Sequence, residues 1–431
     1  MIIHVVQPGE TIYQIAEKYN IPVTRLINEN GLIDINNLVV GQTIVLTYPE
    51  QTYTVREGDS LAGIASAHDV TILQLLRNNP YLSDREFLLP GESIVISYNT
   101  ESEISTNGYA YPFIDRNILR KTLPFLTYLT IFNYRSIGGG EIIGEDETEI
   151  IQLAKEYSVA PIMSLSTLTY QGEGNVDVVN SILNSEVLQD HHINNILNIL
   201  ETKDYYGLNV SIVHLNPENQ KLYENYVTKL YSRLREEGYL LFLTITPRTV
   251  IVNNQLTLER LDYTNLGQMA DRILLLSYGW GYSSGPPSAA TPAYMVRMIL
   301  DHTVPLIPPE KIFIGLSTIG YDWQLPYIIG VSRANSLNTD AAILLARQVG
   351  ATIYYDENSQ APYFEYVDYS SDTPVQHIVW FKDARSVNAL ASFVPEYGIH
   401  GISIWNIMSY FAQLWLVINS QYKINKVIPE Q

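Results

Sequence analysis

Residues 206–214 read Tyr206-Gly207-Leu208-Asn209-Val210-Ser211-Ile212-Val213-His214, and the loop Asn216-Pro217-Glu218-Asn219 follows almost at once. Aliphatic and β-branched residues dominate 207–213, so the stretch reads as a strand. Its two-residue period puts Asn209, Ser211 and Val213 on one face and His214 on the other. Stretches 126–132, 160–165, 240–245, 272–278, 311–316 and 401–405 have the same character, with helical stretches between them. Strands alternating with helices make a parallel sheet, and this many units predict an α/β protein, a (β/α)8 TIM barrel, over 109–431. A tyrosine-rich run between Tyr354 and Tyr369 adds a small α+β insertion before the last strand. In such barrels chemistry gathers where the strands end.

The first hundred residues repeat themselves. His4-Val5-Val6-Gln7-Pro8-Gly9-Glu10-Thr11-Ile12 is echoed by Tyr53-Thr54-Val55-Arg56-Glu57-Gly58-Asp59-Ser60-Leu61. Each copy continues with helical apolar spacing, reaches Asn30 or Asn79, passes a Leu-x-x-Gly, and closes on an alternating strand. The order is strand, helix, helix, strand, with Thr11 and Ser60 placed to cap the first helices. These residues resemble LysM modules, at 1–49 and 50–98, with 99–108 reading as a polar linker. LysM modules bind N-acetylglucosamine-containing glycans between two loops. The resemblance implies contacts from Gly9, Glu10, Thr11, Asn30 and Gly31 in copy one, and from Gly58, Asp59, Ser60, Asn79 and Pro80 in copy two. Read without it, the same residues are caps and turns.

A net charge of −19 argues against nucleic acid and anionic membranes as partners. The absence of cysteine excludes disulfides, thiolate metal sites and a cysteine nucleophile. No secretory signal and no membrane-spanning run is read from the sequence. Gly138-Gly139-Gly140 lacks the Lys-Ser/Thr of a phosphate cradle and reads as a turn. His191-His192 are adjacent rather than spaced as ligands and read as solvated helix residues. Asp271 precedes the sixth strand, away from the chemistry. No metal and no cofactor is expected.

The strand at 207–213 sits where glycoside hydrolase family 18 carries D-x-x-D-x-D-x-E. Further matches support the resemblance: Ser277-Tyr278-Gly279-Trp280-Gly281, Ile319-Gly320-Tyr321-Asp322-Trp323, Trp380 to Ser386, and Gly401-Ile402-Ser403-Ile404-Trp405. With two LysM modules in front, the chain resembles the spore germination and cortex-lytic family of endospore formers. That family cleaves by substrate assistance: a Glu protonates the leaving oxygen, and an Asp orients the attacking acetamido group. At the motif positions this chain carries Tyr206, Asn209, Ser211 and Val213. Trp405 and Tyr278 match the residues that hold the sugar, and Tyr134 stands at a strand end as a third candidate contact.

Valine carries no transferable proton, so this motif leads to the expectation of a protein that is not an enzyme. On that reading it is a pseudoenzyme, lectin-like or scaffolding, bound to peptidoglycan in the spore wall. Two alternatives stay open: an active N-acetylglucosaminidase with a relocated acid, for which Glu218 and His214 are the nearby groups, and a scaffold whose barrel binds protein and no sugar. Peptidoglycan and other spore-wall proteins are the expected partners. The resemblance implies deposition in the spore cortex or coat.

Overall fold

The computed structural model describes residues 1–85, 87–100, 102–166, 176–212, 219–252, 255–370 and 373–430. Eight strands form the barrel: β1 (Ser102–Ala110), β2 (Tyr128–Ser136), β3 (Ala160–Ser166), β4 (Gly207–Ile212), β5 (Leu240–Ile245), β6 (Arg272–Leu275), β7 (Ile312–Ser317) and β8 (Gly401–Trp405). Each pairs in parallel with the next, and β8 pairs with β1, so the sheet closes and keeps no free edge.

The segment expected as a linker is therefore mostly the first barrel strand, and 126–132 belongs to the second. The polar composition that suggested a linker belongs to a polar layer of the core. Asn107 is fully buried. It donates to Ser403 Oγ at 2.9 Å and accepts from Thr130 Oγ1 at 2.8 Å, tying β8, β1 and β2 together. Thr106, equally buried, donates to the Phe125 carbonyl at 2.5 Å. Buried polar groups are tolerated when paired, and here the pairs lie far apart in the sequence. Below this layer the rings of Tyr128, Phe242 and Phe313 fill the barrel, with centroids 5.0–6.3 Å apart.

Between β7 and β8 lies the expected insertion, an antiparallel sheet of strands 335–337, 320–325, 375–380, 361–368 and 354–356 in that spatial order.

Each LysM copy pairs its two strands antiparallel, Ile2–Val5 with Thr43–Leu46 and Gln51–Thr54 with Ser93–Ser97. Between them lie α1 (Ile12–Tyr19) and α2 (Val23–Asn30) in the first copy, and α3 (Leu61–Ala67) and α4 (Ile72–Asn78) in the second. Thr11 caps α1 in a reciprocal capping box with Gln14, and Ser60 caps α3 through the amide of Gly63.

The modules are docked onto the barrel. Helix α5 (Thr339–Gln348) belongs to the insertion, and α6 (Ala412–Asn419) is the last helix of the barrel. Gln413 on α6 donates to Asn30 Oδ1 at 3.1 Å and to the Thr43 carbonyl at 2.6 Å. Two turns on, Asn419 donates to Asn78 Oδ1 of module two at 2.9 Å. The C-terminal Glu430 pairs with Arg77 at 2.5 Å and accepts from Thr71. At Gly41 (φ 88°) a Cβ would lie 1.9 Å from the Ile353 carbonyl of the insertion, a contact that only glycine permits.

Two predictions follow from this docking. Gly91 is the module-two equivalent of Gly41, with φ 89° and open space around it. Gly91→Ala is expected to cost only the left-handed backbone penalty, about 1 kcal/mol. Gly41→Ala adds overpacking and should cost about 2 kcal/mol or more, read as a lower melting temperature than that of Gly91→Ala. The second concerns Glu29, buried near the seam between modules, with Thr47 Oγ1 donating to it at 2.9 Å. Burial pushes its carboxyl from 4.5 up to about 7, against the pull of Arg25. A carboxyl with a raised folded pKa binds more protons in the folded state, so stability falls as pH rises through that window. Glu29→Gln is expected to flatten this part of the loss, measured by melting between about pH 5 and pH 8.

Candidate active site

The C-terminal mouth of the barrel carries an aromatic floor. Ser403 and Trp405 share the interior face of β8, and Trp405 ends the strand opposite Ser317. Its ring meets Tyr109 at 5.3 Å, Phe132 at 5.4 Å and Tyr111 at 6.2 Å, all edge-to-face. Tyr278 follows β6. Its ring takes the space that a side chain at Gly315 would fill, since a Cβ there would lie 2.6 Å away. Burial holds the Tyr278 hydroxyl well above its usual range, so it stays a donor at any physiological pH.

On β4, Asn209 is fully buried and faces the interior. Its amide donates to Thr244 Oγ1 at 2.8 Å, and its oxygen accepts from the Tyr109 hydroxyl at 3.4 Å. Burial pushes the Tyr109 hydroxyl up to about 12. Ser211 lies two residues on, on the same face, between Ser166 of β3 and Thr244 of β5. Val213, His214 and Glu218 lie outside the described residues. Tyr206, before the strand, is exposed.

Tyr134 does not join the floor. The register of β2 against β3 shifts between Phe132 and Tyr134, an irregularity that turns Tyr134 outward with Leu165. There it donates to Glu147 at 2.6 Å. Phe132 takes the place at the mouth instead. Tyr109, Tyr111, Phe132 and Thr244 were missed in the sequence. The alternation Tyr109-Ala110-Tyr111, just past the stretch read as a linker, was the available signal.

His192 is also not a solvated residue. It is buried, bonded to Ser136 Oγ at 2.9 Å and Tyr226 OH at 2.7 Å, and burial lowers its pKa to about 4. Asp271 is structural as expected, accepting from the Leu241 amide at 2.8 Å.

In the modules, Asn30 and Asn79 are fasteners. Each exchanges bonds with the closing strand, Val45 or Val95, and each is buried. Their side chains are thus taken up inside the module, against the expectation of direct glycan contact. Glu10 and Asp59 accept the amides of Gln7 and Arg56, shaping the turns at Gly9 and Gly58. Pro80 opens a short 3-10 turn over Pro80–Asp84. Gly31 abuts the barrel, where a Cβ would meet Ala412 at 2.8 Å.

The profile of glycosyl hydrolases family 18 matches residues 175–409, and that of the LysM domain matches 4–47 and 53–97. The chain belongs to glycosyl hydrolases family 18. It is 31% identical to the cortical fragment-lytic enzyme of Bacillus anthracis over 98% of both chains. It is 29% identical to the protein of that name from Bacillus subtilis over 99% of both. The Bacillus cereus spore cortex-lytic enzyme SleL superposes with a TM-score of 0.80 at 31% identity, covering 99% of each chain. These relatives are named as enzymes along the full length of this family-18 chain, and that overturns the expectation of a protein that is not an enzyme. Serine at 211 and valine at 213 remain facts of the sequence. The inference from them to a lectin-like or scaffolding pseudoenzyme does not stand.

The Tyr278 pocket gives a direct test. Gly315→Ala is expected to displace the Tyr278 ring, because the β7 backbone cannot yield, at a cost of about 1–3 kcal/mol in stability. Denaturant unfolding reads the cost, and a crystal structure of the variant reads the ring position. An unmoved ring would remove Gly315 from the site.

Proposed function

We propose that the protein is a glycosidase that cleaves N-acetylglucosamine-containing strands of spore cortex peptidoglycan, held to the polymer by its LysM modules and residing in the spore wall. The observation that carries this reading is the intact sugar floor, Trp405 ringed by Tyr109, Tyr111 and Phe132 with Tyr278 seated beside it. The full-length similarity to cortex-lytic enzymes supports it.

In this mechanism a sugar rests on Trp405, and Tyr278 donates to its acetamido oxygen, holding that group against the anomeric carbon. Ser211, with Asn209 fixed behind it by Thr244 and Tyr109, supplies neutral dipoles where the family has carboxylates. Neutral groups stabilise the developing positive charge less than a carboxylate does, so turnover is slow. Since valine at 213 has no proton to give, the leaving oxygen is protonated from the following loop, where Glu218 carries the only carboxyl of 213–219.

Release of reducing ends from cortex peptidoglycan by the wild-type chain is the primary measurement. Glu218→Gln is expected to lower it by about 10²–10⁴, the usual worth of general acid catalysis. No release by the wild type overturns the function. Release that survives Glu218→Gln moves the acid elsewhere.

A further inference from the structure

The docking of module one leaves a cleft between that module and the barrel, of about 280 Å³. Its volume falls just under the ~300 Å³ at which drug-sized ligand sites begin, and suits one sugar unit rather than a long chain. Residues 31–34 and Gln42 line one side, Asp340, Ile343 and Leu344 of α5 the other, and Phe411 to Gln413 the floor.

Three features make this a built site. First, its walls are fixed. Arg347 of α5 pairs with Asp34 at 3.3 Å and donates to the Asn37 carbonyl at 2.8 Å, while Gln413 holds Asn30 from below. Second, Gln42 lines the cleft with its oxygen accepting from the Val39 amide at 3.1 Å, while its Nε2 has no partner among the described residues and is open to a ligand. Third, Asp340 at the start of α5 makes no hydrogen bond or ion pair among the described residues, so the opposite wall carries a free acceptor. Leu344, half exposed, and Phe411 supply the apolar surface between them.

We propose that this cleft binds one N-acetylhexosamine residue of a glycan, so that barrel helix α5 completes the binding site of the first LysM module. A sugar of this class has what the walls lack. Its acetamido oxygen accepts from Gln42, its hydroxyls donate to Asp340, and its C–H face covers Leu344 and Phe411. An anionic ligand would meet the unpaired carboxylate, and a fully apolar one would leave both polar groups unpaired. This inference rests on the proposed glycan substrate. It adds that the module and the barrel grip the polymer at a fixed spacing from the mouth.

The test uses the full chain and a thio-linked, uncleavable tetramer of N-acetylglucosamine. Titration calorimetry compares the wild type with Asp340→Ala and Ala341→Trp, both changes on the α5 wall of the cleft. Asp340→Ala is expected to weaken one site per chain about tenfold, the worth of one hydrogen bond to a charged group. Ala341→Trp is expected to abolish that site by filling the cleft. A crystal soak should show a sugar ring between Gln42 and Asp340. Unchanged binding in both variants, or sugar found only at the barrel mouth or at the Gly9–Thr11 turn, overturns the proposal, as does a wild type that binds no tetramer. Hydrolysis is read separately, on the wild type alone, with soluble cleavable tetramer at saturation. A wild type without turnover sinks the glycosidase reading, and binding unchanged by the variants sinks the cleft alone.

Discussion

The amide of Asn107 is the interaction on which the rest of the molecule depends. Its two bonds, to Ser403 and Thr130, join the last barrel strand to the first two and so close the sheet. A closed barrel needs no edge protection, but it does need the first strand to arrive in register with both neighbours. An apolar contact slides; a buried amide with one donor and one acceptor partner fixes the register. Two residues along the same face, that register delivers the Tyr109 hydroxyl to Asn209 and its ring to Trp405.

The mouth inherits its chemistry from this layer. Neutral hydrogen-bonding groups line it, and they satisfy one another: Asn209 with Thr244, and Tyr109 with both. Carboxylates crowded into a low-dielectric interior repel and must share protons. The neutral row avoids that repulsion. The aromatic floor of Trp405, Tyr109, Tyr111 and Phe132 stands beside this neutral row.

The modules extend the same logic of long-range polar fastening. Helix α6 reaches both of them with side-chain amides, Gln413 to the first and Asn419 to the second. Asn30 and Asn78 are partners in those bonds, so the end of each module's second helix is a docking surface. The modules therefore do not move as beads on a string. Whatever glycan they hold is held at a set position relative to the barrel mouth.

The sequence by itself determined the barrel class, the two LysM repeats, the strand carrying the motif, and the loss of a proton donor at 213, because each is written in local periodicity or in residue identity. It also named Trp405 and Tyr278, through their match to the strand-end motifs of family 18. Only the tertiary structure decided the rest. A strand of Ser, Thr and Asn looks like a linker until partners nearly three hundred residues away satisfy it, as Ser403 does for Asn107. A one-residue irregularity in β2 sends Tyr134 out and brings Phe132 in, and no propensity marks where a register shifts. The cleft at module one exists because Gln413 reaches a residue 383 positions earlier in the chain. Contacts of that separation leave no local trace, since each partner satisfies its own neighbourhood equally well before the chain closes on itself.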